Sequence, residues 1–372
     1  MPDMPDMTTT RRYDLDWLRV LAVLLLVPFH SALIFNLDPQ SIMYVKDTVN
    51  SPLLNRFAGW VHQFHMPLLF YVSGAATYFS LKKRKGGQYV KERFLKLLIP
   101  AVTGLIFIIP AITYITQISA GNSVDFWHHF INFWQFGNTD LTGMDGKFTP
   151  AHLWFLFFLF FFSLIGLPVF SLLKKDKSTA LTKRIIDKTG IPAILLALFI
   201  ILTLTATLNI LGDKNPVYYF LMFFCGYLFM MDDRFQYHID KYAWLFLLTG
   251  ISCEVMRQFS YSFISNGTVI LVLSNLNRWA WLLCILGYGH RYLKKSNNTL
   301  KYLSSAAYPF YIFHMLVTTW VGFYVIQLPF GAGWKYSIIV VSSILLTFLV
   351  YEIIKRIPII RFAFGIRIPG RK

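Results

Sequence analysis

The chain is poor in charge and poorer still in acid. Only 14% of its 372 residues are charged, and 18 Asp and Glu stand against 35 Lys and Arg. Cysteine is scarce too. Cys225, Cys253 and Cys284 all fall within or beside apolar runs and form no metal-ligand pattern, which leaves them as packing residues. No stretch reads as a phosphate loop or a serine nucleophile elbow, and no spacing suits a metal. Internal repeats are missing as well, so an inverted-repeat transporter gains no support.

What the chain has in abundance is apolar surface: 56% of residues are hydrophobic, and mean hydropathy is +0.52. A soluble domain of this length cannot hide that much. Repeated apolar runs near twenty residues predict an all-α polytopic membrane protein. About ten transmembrane helices are expected in one bundle, near 16–37, 57–80, 96–118, 152–173, 191–211, 216–231, 242–263, 269–287, 303–328 and 336–354. The first run follows "RR" and ends near "HSA", yet it is longer than a signal-peptide core and reads as a span.

A net charge of +17 could suggest nucleic acid, but the distribution excludes that partner. With both termini placed in the cytosol, 27 of the 35 basic residues fall in inner segments and five in outer loops. That bias orients a membrane protein. Residues 1–15 then form a cytosolic tail, 16–354 the membrane domain, and 355–372 a basic tail that lies on anionic headgroups of the bilayer. One outer loop is long, from about 119 to 151. Its Phe126, Trp127, Phe130, Phe133 and Trp134 have helical spacing and predict an amphipathic helix in the interface.

Polar residues inside the apolar runs are the informative ones, because lipid makes them costly. In "LDWLRVLAVLLLVPFH", Arg19 and His30 stand eleven residues apart, three helical turns plus about 20°, and so share one stripe roughly 16 Å long. Histidine can move protons near neutral pH. The second run, "WVHQFHMPLLFYVSG", adds His62 and His65, the latter balanced between packing and function. Arg93 and Lys96 lie one turn apart where the third run enters the membrane and could jointly hold an anion. His152 opens the fourth run, and "YPFYIFHML" puts His314 near mid-depth in the ninth. Glu254 with Arg257, and Asn275 with Arg278, read first as self-neutralising structural pairs.

Arg19 and His30, with ten residues between them, resemble the signature of the family-three membrane acyltransferases. "HQFHMPLLFYVSG", "RFLKLLIP", "HLWFL" and "YPFYIFH" agree with that family, and the likeness extends over nearly the whole chain. "LDWLR" and "HLWFL" are nearer its glucan-modifying branch than the peptidoglycan or lipopolysaccharide O-acetylases. The resemblance implies a bacterial inner-membrane enzyme that transfers an acetyl or succinyl group from cytosolic acyl-CoA to a hydroxyl of an extracytoplasmic glycan. Acyl-CoA would be the donor substrate, with no permanently bound cofactor and no metal. The family pair maps to Arg19 and His30, His30 acting as general base and Arg19 stabilising anionic charge on the donor. An Arg-x-x-Arg motif maps to Arg93 and Lys96, where lysine keeps the charge but loses the bidentate fork. Together with Arg84 they would hold the donor phosphates. His65, His314 and Glu254 are the expected helpers. The competing reading is a transporter or flippase of a lipid-linked sugar, and whether the chain forms a homodimer is left open.

Overall fold

A computed structural model of the chain describes residues 11–37, 43–136, 141–208, 210–211, 214–259, 264 and 266–366. The rest of both expected tails, 1–10 and 367–372, lies outside the described residues. Among those described there are α-helices and no strand. In chain order the helices are α1 (Tyr13–Leu24), α2 (Leu26–Leu33), α3 (Pro52–Lys83), α4 (Gly86–Arg93), α5 (Ile99–Phe107), α6 (Ile109–Ser119), α7 (Phe126–Asn132), α8 (Trp154–Leu173) and α9 (Asp176–Thr189). Then come α10 (Ile191–Ala206), α11 (Pro216–Phe229), α12 (Asp233–Lys241), α13 (Ala243–Phe259), α14 (Gly267–Tyr292), α15 (Asn298–Val325), α16 (Ala332–Ile354) and α17 (Pro358–Ala363).

Proline explains several of the breaks. Pro28 has no N–H for the carbonyl of Leu24, and the first span divides into α1 and α2 one turn before it. Leu25 and Phe29 still bond back to Leu21 and Leu25 at 2.9 and 3.0 Å, so Tyr13–Leu33 continues as one membrane-length stretch. Pro100 cannot donate to Lys96, and the turn ahead of it widens into a π-helix at Phe94–Leu98, closed by Ile99 N–H to Phe94 O.

Five helical stretches are long and apolar enough on their own to cross a membrane: Tyr13–Leu33, Gly86–Ser119, Ala151–Leu173, Gly267–Tyr292 and Ala332–Ile354. The pair Asp176–Thr189 and Ile191–Ala206, bent by 101°, makes a sixth if read as one broken span. The ten expected spans are therefore not all reached by length and apolarity. The 32 residues of α3 are ample in length, but His62, Gln63, His65 and its basic end dilute the run.

The chain divides into two compact units. The first comprises residues 1–19, 62–91 and 161–300. Here α3 and α11 cross at two glycines: a Cβ on Gly74 would stand 1.8 Å from Phe223 O, and one on Gly226 1.9 Å from Tyr71 O. Small residues at such a crossing let backbones meet without a hydrophobic driving force between helices. The basic segments of this unit also meet one another. Arg12 donates to Gln236 Oε1 at 2.8 Å, Trp17 to the Lys295 carbonyl at 3.0 Å, Arg291 to the Asp240 carbonyl at 3.0 Å and Lys174 to the Leu81 carbonyl at 2.9 Å.

The second unit comprises residues 20–61, 92–160 and 301–372. The expected amphipathic helix is α7, capped by Asp125 and turned so that His129 and Phe133 are buried while Trp127 is exposed. His129 donates to the Pro110 carbonyl at 3.1 Å, and burial pushes its pKa below the ordinary value. At the C-terminal end Phe364 and Ile366 are buried, Phe364 against Phe313, and Gly365 (φ +66°) lies against Pro100 and Tyr308. So residues 364–366 of the expected surface tail are docked into this unit.

Two segments expected as outer loops meet here as well. Lys335 Nζ bonds Asp47 Oδ2 at 2.8 Å and the Ile326 carbonyl at 2.7 Å, with both side chains buried. Lys335→Met strands the Asp47 carboxylate in the interior and is expected to cost about 3–5 kcal/mol. Replacing both residues by Asn and Met is expected to cost much less. Thermal midpoints of the detergent-purified variants check this, and equal midpoints for the single variant and wild type would count against a stabilising pair.

Candidate functional site

A strained turn aims the first histidine of the second unit. Thr149 Oγ1 accepts from Ala151 N–H at 2.9 Å and donates to the Leu141 carbonyl at 2.6 Å. This holds Ala151 at φ +44°, a left-handed conformation costly for a residue with a Cβ. The chain then makes the 3-10 turn Ala151–Leu153 and enters α8, leaving His152 buried. Helix α15 brings the second histidine. Pro309 interrupts its hydrogen-bond ladder, and the segment Tyr308-Pro-Phe-Tyr-Ile-Phe-His314 packs through Ile312 against Gly104 of α5, beside Leu153. The third comes from α2.

His314 is the middle of the group. Its ring lies 5.4 Å from that of His30 and 5.2 Å from that of His152, centroid to centroid. Backbone carbonyls decide the tautomers, because a carbonyl can only accept. His314 Nδ1 donates to the Tyr311 carbonyl at 2.6 Å, so its proton sits on Nδ1 and Nε2 keeps the lone pair. His152 Nε2 donates to the Ile312 carbonyl at 2.9 Å, leaving the lone pair on Nδ1. Neither His314 Nε2 nor His152 Nδ1 has a hydrogen-bond partner among the described residues, although both are buried. Tyr311 bonds through its hydroxyl to the His152 carbonyl and tightens the pair. His314 is fully buried and His152 nearly so, whereas His30 is half-buried as a residue. Buried orphan nitrogens are rare and costly unless something else uses them.

The other expected site residues fall as follows. Arg93 and Lys96 belong to the same unit as the histidines, at the π turn, but Lys96 is bonded to Glu92 one turn back. An incoming anion would have to share it. Tyr308, six residues and about 9 Å along α15 from His314, is buried beside Gly365 and Pro100 with its hydroxyl unpartnered among the described residues. Arg19, Arg84, His65 and Glu254 lie in the first unit. Arg19 pairs with Asp16 at 3.2 Å, Arg84 donates to Ser80 Oγ at 2.8 Å, and His65 sits 5.7 Å from His62. Glu254 is fully engaged: Arg257 grips it at 2.5 and 3.0 Å, Gln258 at 2.8 Å and Asn277 at 2.9 Å. That makes it the structural pair of the first sequence reading, with no lone pair left for catalysis. Asn275 bonds the Leu271 carbonyl instead of Arg278.

His152 is the residue that sequence reasoning placed only at a span boundary. The signal for it was "HLWFL" following Thr-Pro-Ala, and no spacing rule could connect it with His314. Among the described residues no group of His, Cys, Asp and Glu is arranged to hold a metal.

Membrane-length apolar helices define a membrane protein, and comparison gives it a family. The family model described as an acyltransferase domain matches residues 12–352. The chain belongs to the family-three acyltransferases. It is 22% identical to glucans biosynthesis protein C of Salmonella heidelberg (strain SL476) and to that of Salmonella schwarzengrund (strain CVM19633), over 99% of this chain and 98% of each relative. The protein of the same name from Salmonella dublin is 21% identical over the same shares. No solved structure matches the chain.

Proposed function

We propose that this acyltransferase moves an acyl group from cytosolic acyl-CoA to a hydroxyl of an extracytoplasmic glycan, across a bacterial inner membrane with both chain ends in the cytosol. The glycan class follows the name of its relatives, glucans biosynthesis protein C, which align end to end. The observation that carries the chemistry is the His30 ring 5.4 Å from that of His314, whose basic nitrogen has no partner among the described residues and whose other nitrogen is locked to a carbonyl. In this reading His30 takes the proton of the acceptor hydroxyl as its oxygen attacks the thioester carbonyl. The C–S bond breaks, and the leaving coenzyme A thiolate receives the proton from the imidazolium. His314 keeps a basic Nε2 beside His30, able to support the imidazolium that His30 becomes, and His152 packs against His314. Arg93 and Lys96 hold the donor phosphates, Lys96 exchanging Glu92 for the incoming anion.

The test is thioester turnover by the purified chain with acetyl-CoA and succinyl-CoA side by side, wild type against His30→Ala at matched thermal midpoint. Turnover in wild type and none in the variant supports the reading. Full activity in the variant, or no turnover of either donor by wild type, refutes it.

A further inference from the structure

The first unit holds a cavity of about 310 Å³, at the lower end of the range for small-molecule pockets. None of the three clustered histidines lines it. Its walls include His62, Gln63, Asn215, Tyr218, Tyr219 and Arg278. Two of these are explained by the fold. Asn215 caps α11 and donates to the carbonyls of Thr205 and Leu208, and Tyr219 stacks on Phe70. Arg278 is not so explained. Arg12, Arg19, Arg234 and Arg257 of this unit each hold a carboxylate, whereas Arg278 has none among the described residues. Its guanidinium lies 6.0 Å from the Tyr218 ring centroid.

Helix direction tells which side the cavity serves. It is lined by the end of α10, the start of α11 and the first half of α14, together with the His62–Pro67 part of α3. The opposite ends of these helices carry the basic segments: Lys188 before α10, Arg234 after α11, Arg291 to Lys295 at and beyond the end of α14, and Lys82 to Lys85 at and beyond the end of α3. By the positive-inside rule the cavity sits toward the extracytoplasmic face. A polar, tyrosine-walled hollow on that face, with an arginine fork that no carboxylate among the described residues neutralises, suits a sugar ring. The ring offers apolar C–H faces to aromatic side chains and a rim of hydroxyls to donors and acceptors.

We infer that this cavity is a saccharide subsite, in which Tyr218 and Tyr219 receive the face of a pyranose unit while His62, Gln63 and Arg278 bind its hydroxyls. Its tie to the acceptor rests on the function proposed above; its capacity to bind sugar does not. The experiment is equilibrium binding of short glucose oligosaccharides, two to six units, to the full-length chain in detergent with no acyl donor present. Wild type, Arg278→Leu, Arg278→Lys and Gln63→Leu are compared.

Saturable binding by wild type is expected, weakened at least tenfold by Arg278→Leu and by Gln63→Leu, with Arg278→Lys in between because it keeps charge without the fork. Should Arg278→Leu fail to fold, Gln63→Leu decides alone. The subsite is overturned by equal affinity in wild type and the folded variants, or by no saturable sugar binding in wild type. Binding of inorganic phosphate at Arg278 in place of sugar overturns it as well. Thioester turnover, read separately, keeps the two ideas apart. Sugar binding without turnover refutes acyl transfer and spares the subsite, and turnover without sugar binding does the reverse.

Discussion

His314→Gln is expected to lower acyl transfer by a factor on the order of a hundred to ten thousand, the range of general-base catalysis, because the proposed base His30 loses the basic neighbour that supports its imidazolium. Glutamine keeps a polar side chain of similar reach but has no basic nitrogen. The loss is expected in kcat, with the KM for the acyl donor changed far less, because the residues proposed to hold the donor phosphates, Arg93 and Lys96, lie at the π turn and not on α15. Steady-state kinetics of the purified variant beside wild type make the measurement. A variant that retains more than half of wild-type kcat would reduce His314 to a packing residue, whatever His30 does. The geometry argues otherwise, since a buried nitrogen with no hydrogen-bond partner is an expense for packing alone.

Gly226→Val abolishes folding of the first unit. Even the first carbon of a side chain there would stand 1.9 Å from Tyr71 O, 2.8 Å from Tyr71 C and 3.0 Å from Ala75 N, all backbone atoms that no rotamer change can move. A Cβ on Gly74 would in turn stand 1.8 Å from Phe223 O, closing the same crossing from the other helix, so relief at one glycine cannot be taken up at the other. Separating α3 from α11 would also open the aromatic packing of Tyr71 with Phe229 and of Tyr78 with Tyr227. The expected cost is about 4 kcal/mol or more, in the range reserved for gross core disruption. It should read out as failure to recover monodisperse protein from detergent. Gly87→Ala is the control, because Gly87 is exposed and a methyl group added there would meet nothing within 4 Å. That variant should leave the midpoint unchanged or slightly raised. A monodisperse Gly226→Val protein with an unaltered midpoint would contradict the crossing.

Much of the fold is legible in the sequence alone. The all-α membrane class follows from apolar runs, and α11, α14 and α16 begin or end within a few residues of the expected spans. His30 and His314 stand out as imidazoles where lipid should forbid them. What no sequence rule supplies is that they meet, because helix order in a bundle depends on long-range packing. His152 is hidden for a local reason: its aim depends on Ala151 at positive φ, a conformation normally signalled by glycine. Regular α spacing places Arg93 and Lys96 one turn apart, and Pro100 replaces that turn with a wider one. Glu254 looks like a spare carboxylate because Asn277, which helps to satisfy it, is 23 residues away.

The carbonyl locks on His152 and His314 bear on the cell's energy supply. An imidazole relays a proton through a bilayer by taking it on one nitrogen and releasing it from the other, then resetting. His314 offers Nδ1 to the Tyr311 carbonyl, and His152 offers Nε2 to the Ile312 carbonyl; neither oxygen can accept a proton outright and pass it on. Each ring can therefore hold and return a proton at one nitrogen only. Three neighbouring histidines free at both nitrogens would otherwise offer a path for proton conduction. On the function proposed above, the two locked rings have no second nitrogen through which to pass a proton onward, and turnover is expected to leave the transmembrane proton gradient untouched.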